Sequence, residues 1–127
     1  MESDFLSRKH MEHYLDLIME DHMHTGDVER ASLFYIISDN DDLYRKRRFI
    51  YDPEDHGIKG CLDNTEVDFS SGMKALVRLG FNLYNGWSDV YTTPVGLLGC
   101  LDDNSRKLAK NAMQIRFDSS FYNGLLE

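Results

Sequence analysis

Apolar residues recur at steps of three and four along much of this chain, most clearly over residues 70–86, SSGMKALVRLGFNLYNG. Met73, Leu76, Val77, Gly80, Phe81 and Tyr84 mark one broad helical face, with Leu79 and Leu83 on its flank. Ser70 or Ser71 can cap the start, and Asn85-Gly86 is a left-handed stop. The pattern predicts a helix buried on most sides, with the other helices packed around it.

Upstream, a first helix is expected from Ser3 or Asp4 to His22. Its stripe is Met11, Tyr14, Leu15 and Ile18, widened by Phe5, Leu17 and Met19. Thr25-Gly26 ends it and Asp27 caps the next. Residues 28–38 contain LFYII, a run that a buried strand would share. The cap and the helix formers Glu29, Arg30 and Ala31 decide for helix. Residues 39–42, all acids or Asn, open a third helix that Arg45, Lys46, Arg47 and Arg48 close before Pro53. Residues 52–69 read as irregular, held to the core by Ile58, Cys61, Leu62, Val67 and Phe69. Any strand should be short and peripheral, here or near residues 87–91.

Thr93-Pro94 starts a short apolar piece over 95–101, and residues 102–105 cap a last helix lined by Leu108, Ala112 and Ile115 to about Phe117. The tail SSFYNGLLE either frays or docks through Phe121, Tyr122, Leu125 and Leu126. The expected fold is mostly α: a single domain, 1–127, of about five or six helices around a central helix at about 70–86. One internal echo pairs residues 57–64 with 96–104. It reads either as a duplicated unit or as the same helix-start grammar used twice.

Composition narrows the function more than it defines it. The formal charge is -8. Residues 1–63 carry 8 Lys/Arg against 15 Asp/Glu, and residues 64–127 carry 6 against 7. An acidic surface disfavours phosphate backbones and anionic lipid, and suits solubility or a basic partner. No apolar run approaches the roughly 20 residues of a membrane span. The N-terminus also lacks an uninterrupted apolar stretch of the signal-peptide kind, so a cytoplasmic, soluble protein is expected. Cys61 and Cys100 form no metal-type pair and are read as small buried apolar residues.

The candidate chemistry is sparse. His10, His13 and Asp16 lie at i, i+3 and i+6, with His22 and His24 beyond. Imidazole and carboxylate suit zinc or iron, but i and i+6 sit about 120° apart on a helix. No HExxH and no second Glu-x-x-His helix completes a site, so His10 and His13 remain weak metal candidates and no cofactor is expected. Residues 39–42 and 102–104 resemble calcium-loop starts. Tyr44 and Lys107 stand where glycine is needed, however, and Ile50 and Met113 where glutamate is needed. Arg45, Lys46, Arg47 and Arg48 would allow nucleic-acid contact, although four consecutive bases point all round a helix. Neither cysteine nor Ser70-Ser71-Gly72 has a nucleophile signature, and no phosphate-cradling glycine loop occurs. Arg78, Asn82, Asn85, Trp87 and Tyr91 form a candidate binding group, Arg78 and Asn82 sharing a helix face. The competing account makes Asn82 and Asn85 helix-terminal hydrogen bonders.

At RLGFNLYNG, residues 78–86, the chain resembles a family of small uncharacterised bacterial proteins found in Gram-positive genomes and their prophages. A further similarity lies at Glu12-His13 and the aromatic run Leu33-Phe34-Tyr35. The family pattern has Ala where this chain has Gly80, and a Trp-containing turn where it has Val67-Asp68-Phe69. The resemblance implies a mostly helical fold and lends no catalytic residue. The sequence therefore points to a non-enzymatic interaction or accessory protein with a protein partner. Its contact surface would be the acidic N-terminal half, or the strip over 87–91 with the C-terminal tail. A small enzyme or metal-binding protein using His10 and His13 is the alternative, and nucleic-acid contact the second.

Overall fold

The structure, a computed structural model, describes residues 4–24, 26–62 and 67–126. Among these, eight helices and one two-stranded ribbon follow in the order α1 (Arg8–Asp21), α2 (Val28–Asp39), α3 (Asp41–Arg45), α4 (Arg47–Ile50), β1 (Tyr51–Asp52), β2 (Gly57–Ile58), α5 (Ser71–Asn85), α6 (Pro94–Leu98), α7 (Asp103–Phe117) and α8 (Ser119–Gly124). The protein is mostly helical around one core cluster. The strands pair antiparallel, Tyr51 with Ile58 and Asp52 with Gly57. Two expectations, the start at Ser3 and the stop at Thr25, fall outside the described residues, as does the end of the first copy of the echo.

Short polar side chains set the helix starts. Ser7, Asp27, Ser70, Thr93, Asp102 and Asp118 each accept a backbone N–H from the third residue onward. α5 runs as the pattern predicts, from its Ser70 cap to Gly86 in the left-handed region at φ 83°. The element enclosed on all sides is nevertheless α2, where residues 31–38 are all buried. LFYII is apolar around the whole helix because α1, α5 and α7 all pack on it.

The face of α1 departs from the expected stripe. Its buried residues are His10, Tyr14, Leu17 and Asp21, while Leu15 is 37% and Met19 74% exposed. Hydrogen bonding turned the helix. The His10 ring reaches the Tyr35 carbonyl, and Asp21 reaches three donors beneath the ribbon, so two polar residues displace two apolar ones from the inner face.

The acid-then-base segment splits into α3 and α4 at Lys46, with Asn40 as the cap of α3. The echo has no structural counterpart: Gly57-Ile58 is strand, whereas Pro94–Leu98 is helix. Cys61 is buried, and burial pushes its thiol up to about 11; Cys100 is exposed, contrary to the reading of both as core residues. The tail docks through α8, with Leu125 in the core and Leu126 outside. Among the described residues, no helix is long and apolar enough to cross a membrane.

Candidate functional site

The helix end proposed from sequence does gather its residues. Arg78 Nε donates to Asp89 at 2.9 Å, and its guanidinium lies 4.8 Å from the Tyr91 ring. Asn82 Nδ2 donates to the Trp87 carbonyl at 3.1 Å, while the Trp87 N–H donates to Asn85 Oδ1 at 3.0 Å. Burial works against the charge on Asp89, but the Arg78 guanidinium and the Thr92 hydroxyl hold its carboxyl below the usual range. Trp87 is half-buried and packs edge-on against Phe81 at 5.5 Å. These contacts fold the chain back over the end of α5. Most of the group's polar atoms are used in that closure, and Asn85 and Tyr91 are its exposed members.

Beside this closure α5, α6 and α7 leave a solvent-open trough of about 290 Å³. Leu79 and Leu83 form its floor, Leu97 and Pro94 one wall, Met113 and Phe117 the other. Arg116 stands at its edge, donating from Nε to the Leu83 carbonyl at 2.8 Å. Exposed apolar side chains lie at the trough and near it in sequence. Phe117 is 75% exposed, and Val90, Tyr91 and Val95 are exposed nearby in sequence or on the adjoining turn. On α7, Arg106, Lys110, Met113 and Phe117 fall within about 60° of arc at 100° per residue, so two bases continue the trough's apolar wall. Among the described residues neither base makes an ion pair.

The other sequence candidates are engaged internally. His10 is fully enclosed. Its Nδ1 accepts the Leu6 N–H at 3.1 Å, so Nε2 carries the proton and donates to the Tyr35 carbonyl at 2.7 Å. Burial lowers its pKa to about 4, against the raising effect of the Tyr35 bond. His13 stacks on Tyr44 at 3.7 Å, its Nδ1 3.2 Å from the Ser38 carbonyl. Arg45 and Lys46 pair with Asp42, and Arg47 and Arg48 with Glu20. Among the described residues no group of three His, Cys, Asp or Glu is placed to hold a metal ion.

The sequence did not single out the polar cluster under the ribbon. Asp21 is buried at the last turn of α1, the end where the helix dipole disfavours an acid. Its Oδ2 accepts Arg30 Nη1 at 2.9 Å; its Oδ1 accepts the Tyr51 hydroxyl at 2.8 Å and His56 Nδ1 at 3.0 Å. The His56 side chain is half-exposed, and its Nδ1 also lies 3.2 Å from the Tyr51 hydroxyl. His56 has φ 54°, a conformation non-glycine residues seldom adopt, and Tyr84 donates to its carbonyl. Burial and Asp21 together push the Tyr51 hydroxyl strongly up, which keeps it a donor. The one advance signal was an acid placed at the wrong end of a helix.

The model of the family of unknown function DUF6075 matches residues 1–124. The chain belongs to that family. No curated protein and no solved structure matches it. Membership in DUF6075 thus brings no activity with it, and the trough, the α7 bases and the Asp21–His56 cluster are properties read from this member's own side chains.

Proposed function

We propose that this protein is a non-enzymatic interaction or accessory protein of bacterial or mobile-element origin, acting in the cytoplasm, and that the trough between α5, α6 and α7 holds a protein partner. The observation that carries the reading is an apolar trough of about 290 Å³ bordered by exposed Phe117 and continued along α7 by Lys110 and Arg106. Filling such a surface with apolar side chains releases water, and the two bases favour an acidic flank. The fitting partner is therefore an amphipathic helix with apolar residues at helical spacing and acids beside them. The resemblance over residues 78–86 supports the bacterial origin.

The test is fluorescence anisotropy with a labelled synthetic helical peptide bearing leucines at i, i+4 and i+7 and glutamates between them. Binding is expected to weaken with salt and to be lost in Phe117→Ser and in Lys110→Glu, both changes at exposed positions. Trp87→Ala is a poorer probe, because it removes the ring packed on Phe81. Absence of binding by the wild type, or equal binding by both variants, refutes the reading.

A further inference from the structure

The outward face of α1 is the charge complement of the α7 face. Glu12, Leu15, Asp16 and Met19 are exposed and fall within about 100° of arc around α1. Glu12 makes no ion pair among the described residues, and Asp16 accepts a long bond from the Tyr44 hydroxyl at 3.4 Å. On α7, Arg106 donates from Nε to the Leu98 carbonyl at 3.0 Å, and Lys110 points no donor at an acid among the described residues. Residues 12, 16 and 19 advance by four and then three, and so do residues 106, 110 and 113. At about 1.5 Å of rise per residue, both series place their second and third members about 6 and 10.5 Å beyond the first. A parallel seating of the two helices therefore sets Glu12 beside Arg106, Asp16 beside Lys110 and Met19 beside Met113. Leu15 then adds apolar surface on the side of the methionine pair.

Within one copy these faces do not meet. α1 and α7 each pack extensively on α2, and neither packs extensively on the other. Resting on the reading of the α7 side as a protein-docking surface, we propose that its occupant is α1 of a second copy, seated head to tail. The two faces are unlike, so each copy that docks still presents a free α1 and a free α7. Such contacts build rings or open chains rather than a closed pair. Flexible methionines suit a contact made by surfaces that are otherwise solvated, and the acid–base pairs set the register and make it sensitive to salt.

Light scattering coupled to size exclusion tests this on the full chain. The wild type should exceed its monomer mass of 14.8 kDa increasingly from micromolar to millimolar concentration, and less so at high salt. The double variants Glu12→Lys with Asp16→Lys and Arg106→Glu with Lys110→Glu should each run as monomers with unchanged circular dichroism. Mixed in equal amounts they should associate again, because each reversed face then meets its opposite. A wild type that stays at 14.8 kDa at millimolar concentration overturns the proposal, as does a mixture that stays monomeric. If the acidic peptide still binds the trough in that case, the docking reading stands and self-docking alone falls. If the peptide fails as well, both fall.

Discussion

Lowering the pH from 7 to 4 should unload stability through a single buried histidine. His10 is buried between Phe5 and Tyr35, with ring centroids 5.1 Å from Phe5 and 4.5 Å from Tyr35. Its neutral form is matched to its surroundings on both nitrogens, since Nδ1 receives the Leu6 N–H and Nε2 gives to the Tyr35 carbonyl. Protonation would aim a second N–H at that of Leu6, inside a desolvated pocket. Asp39, 3.7 Å from Nδ1, is the nearest acid, and burial pushes its own carboxyl up; His13 adds repulsion. The folded pKa of about 4 lies below the ordinary 6.5, so unfolding takes up a proton between these limits. Stability is complete above about 6.5, falls as the pH drops through the window, and loses nothing further from this group below about 4. The gap corresponds to about 3 kcal/mol when fully developed. Asp39 runs the other way just above its ordinary value, because a raised acid gives up stability as the pH rises. The comparison that isolates the histidine is His10→Gln, whose amide can accept from Leu6 and donate to Tyr35 without titrating. Urea unfolding between pH 7 and 4 should give the wild type a steeper loss than His10→Gln. Parallel curves, or a His10 resonance titrating near 6.5, would refute the reasoning.

Three further outcomes follow from the packing. Asp21→Ala removes the shared acceptor of Arg30, Tyr51 and His56 while Arg30 keeps Asp27 at 3.1 Å, and should cost about 2–3 kcal/mol through the donors left under the ribbon; a loss below about 1 kcal/mol in urea unfolding, no more than an ordinary hydrogen bond, would show that the cluster is not a lock. Gly80→Ala would place a Cβ 2.8 Å from Leu33 Cδ1, on a side chain with no exposed surface. The overpacking of about 1–3 kcal/mol should exceed the roughly 1 kcal/mol gained in helix propensity, so Tm should fall; a rise would mean that Leu33 yields freely. Ser70→Ala deletes the bond from the Met73 N–H and should cost about 1 kcal/mol, whereas Ser70→Asp should hold Tm within about a degree or two. Equal Tm losses in the two Ser70 variants would show that the cap is not what matters there.

Much of the secondary structure was legible along the chain. The Ser70 and Gly86 limits of α5, the Asp27 cap of α2, the Thr93-Pro94 start of α6 and the Asp102 start of α7 are local hydrogen-bond and dihedral events, so neighbouring residue types suffice to place them. The proximity of Arg78, Asn82, Asn85, Trp87 and Tyr91 was legible too, because all lie within fourteen consecutive positions at the end of one helix; that their contacts close the helix end was not, since the spacing marks them as a binding group.

Other features depended on partners remote in sequence. The rotation of α1, the enclosure of α2 and the convergence of Asp21, Arg30, Tyr51 and His56 come from contacts spanning up to 35 positions, and periodicity carries no information about which distant donor will arrive. A stripe such as Met11, Tyr14, Leu15 and Ile18, widened by Leu17 and Met19, states that a helix has an apolar side. Only the arrival of α2, with a carbonyl for His10 and a guanidinium for Asp21, determined that Leu15 and Met19 would face water while Tyr14 and Leu17 stayed inside. Local chemistry therefore settled where the helices begin and end. Tertiary packing settled which way they face, because the need to satisfy a few buried polar atoms outweighed the burial of two apolar side chains.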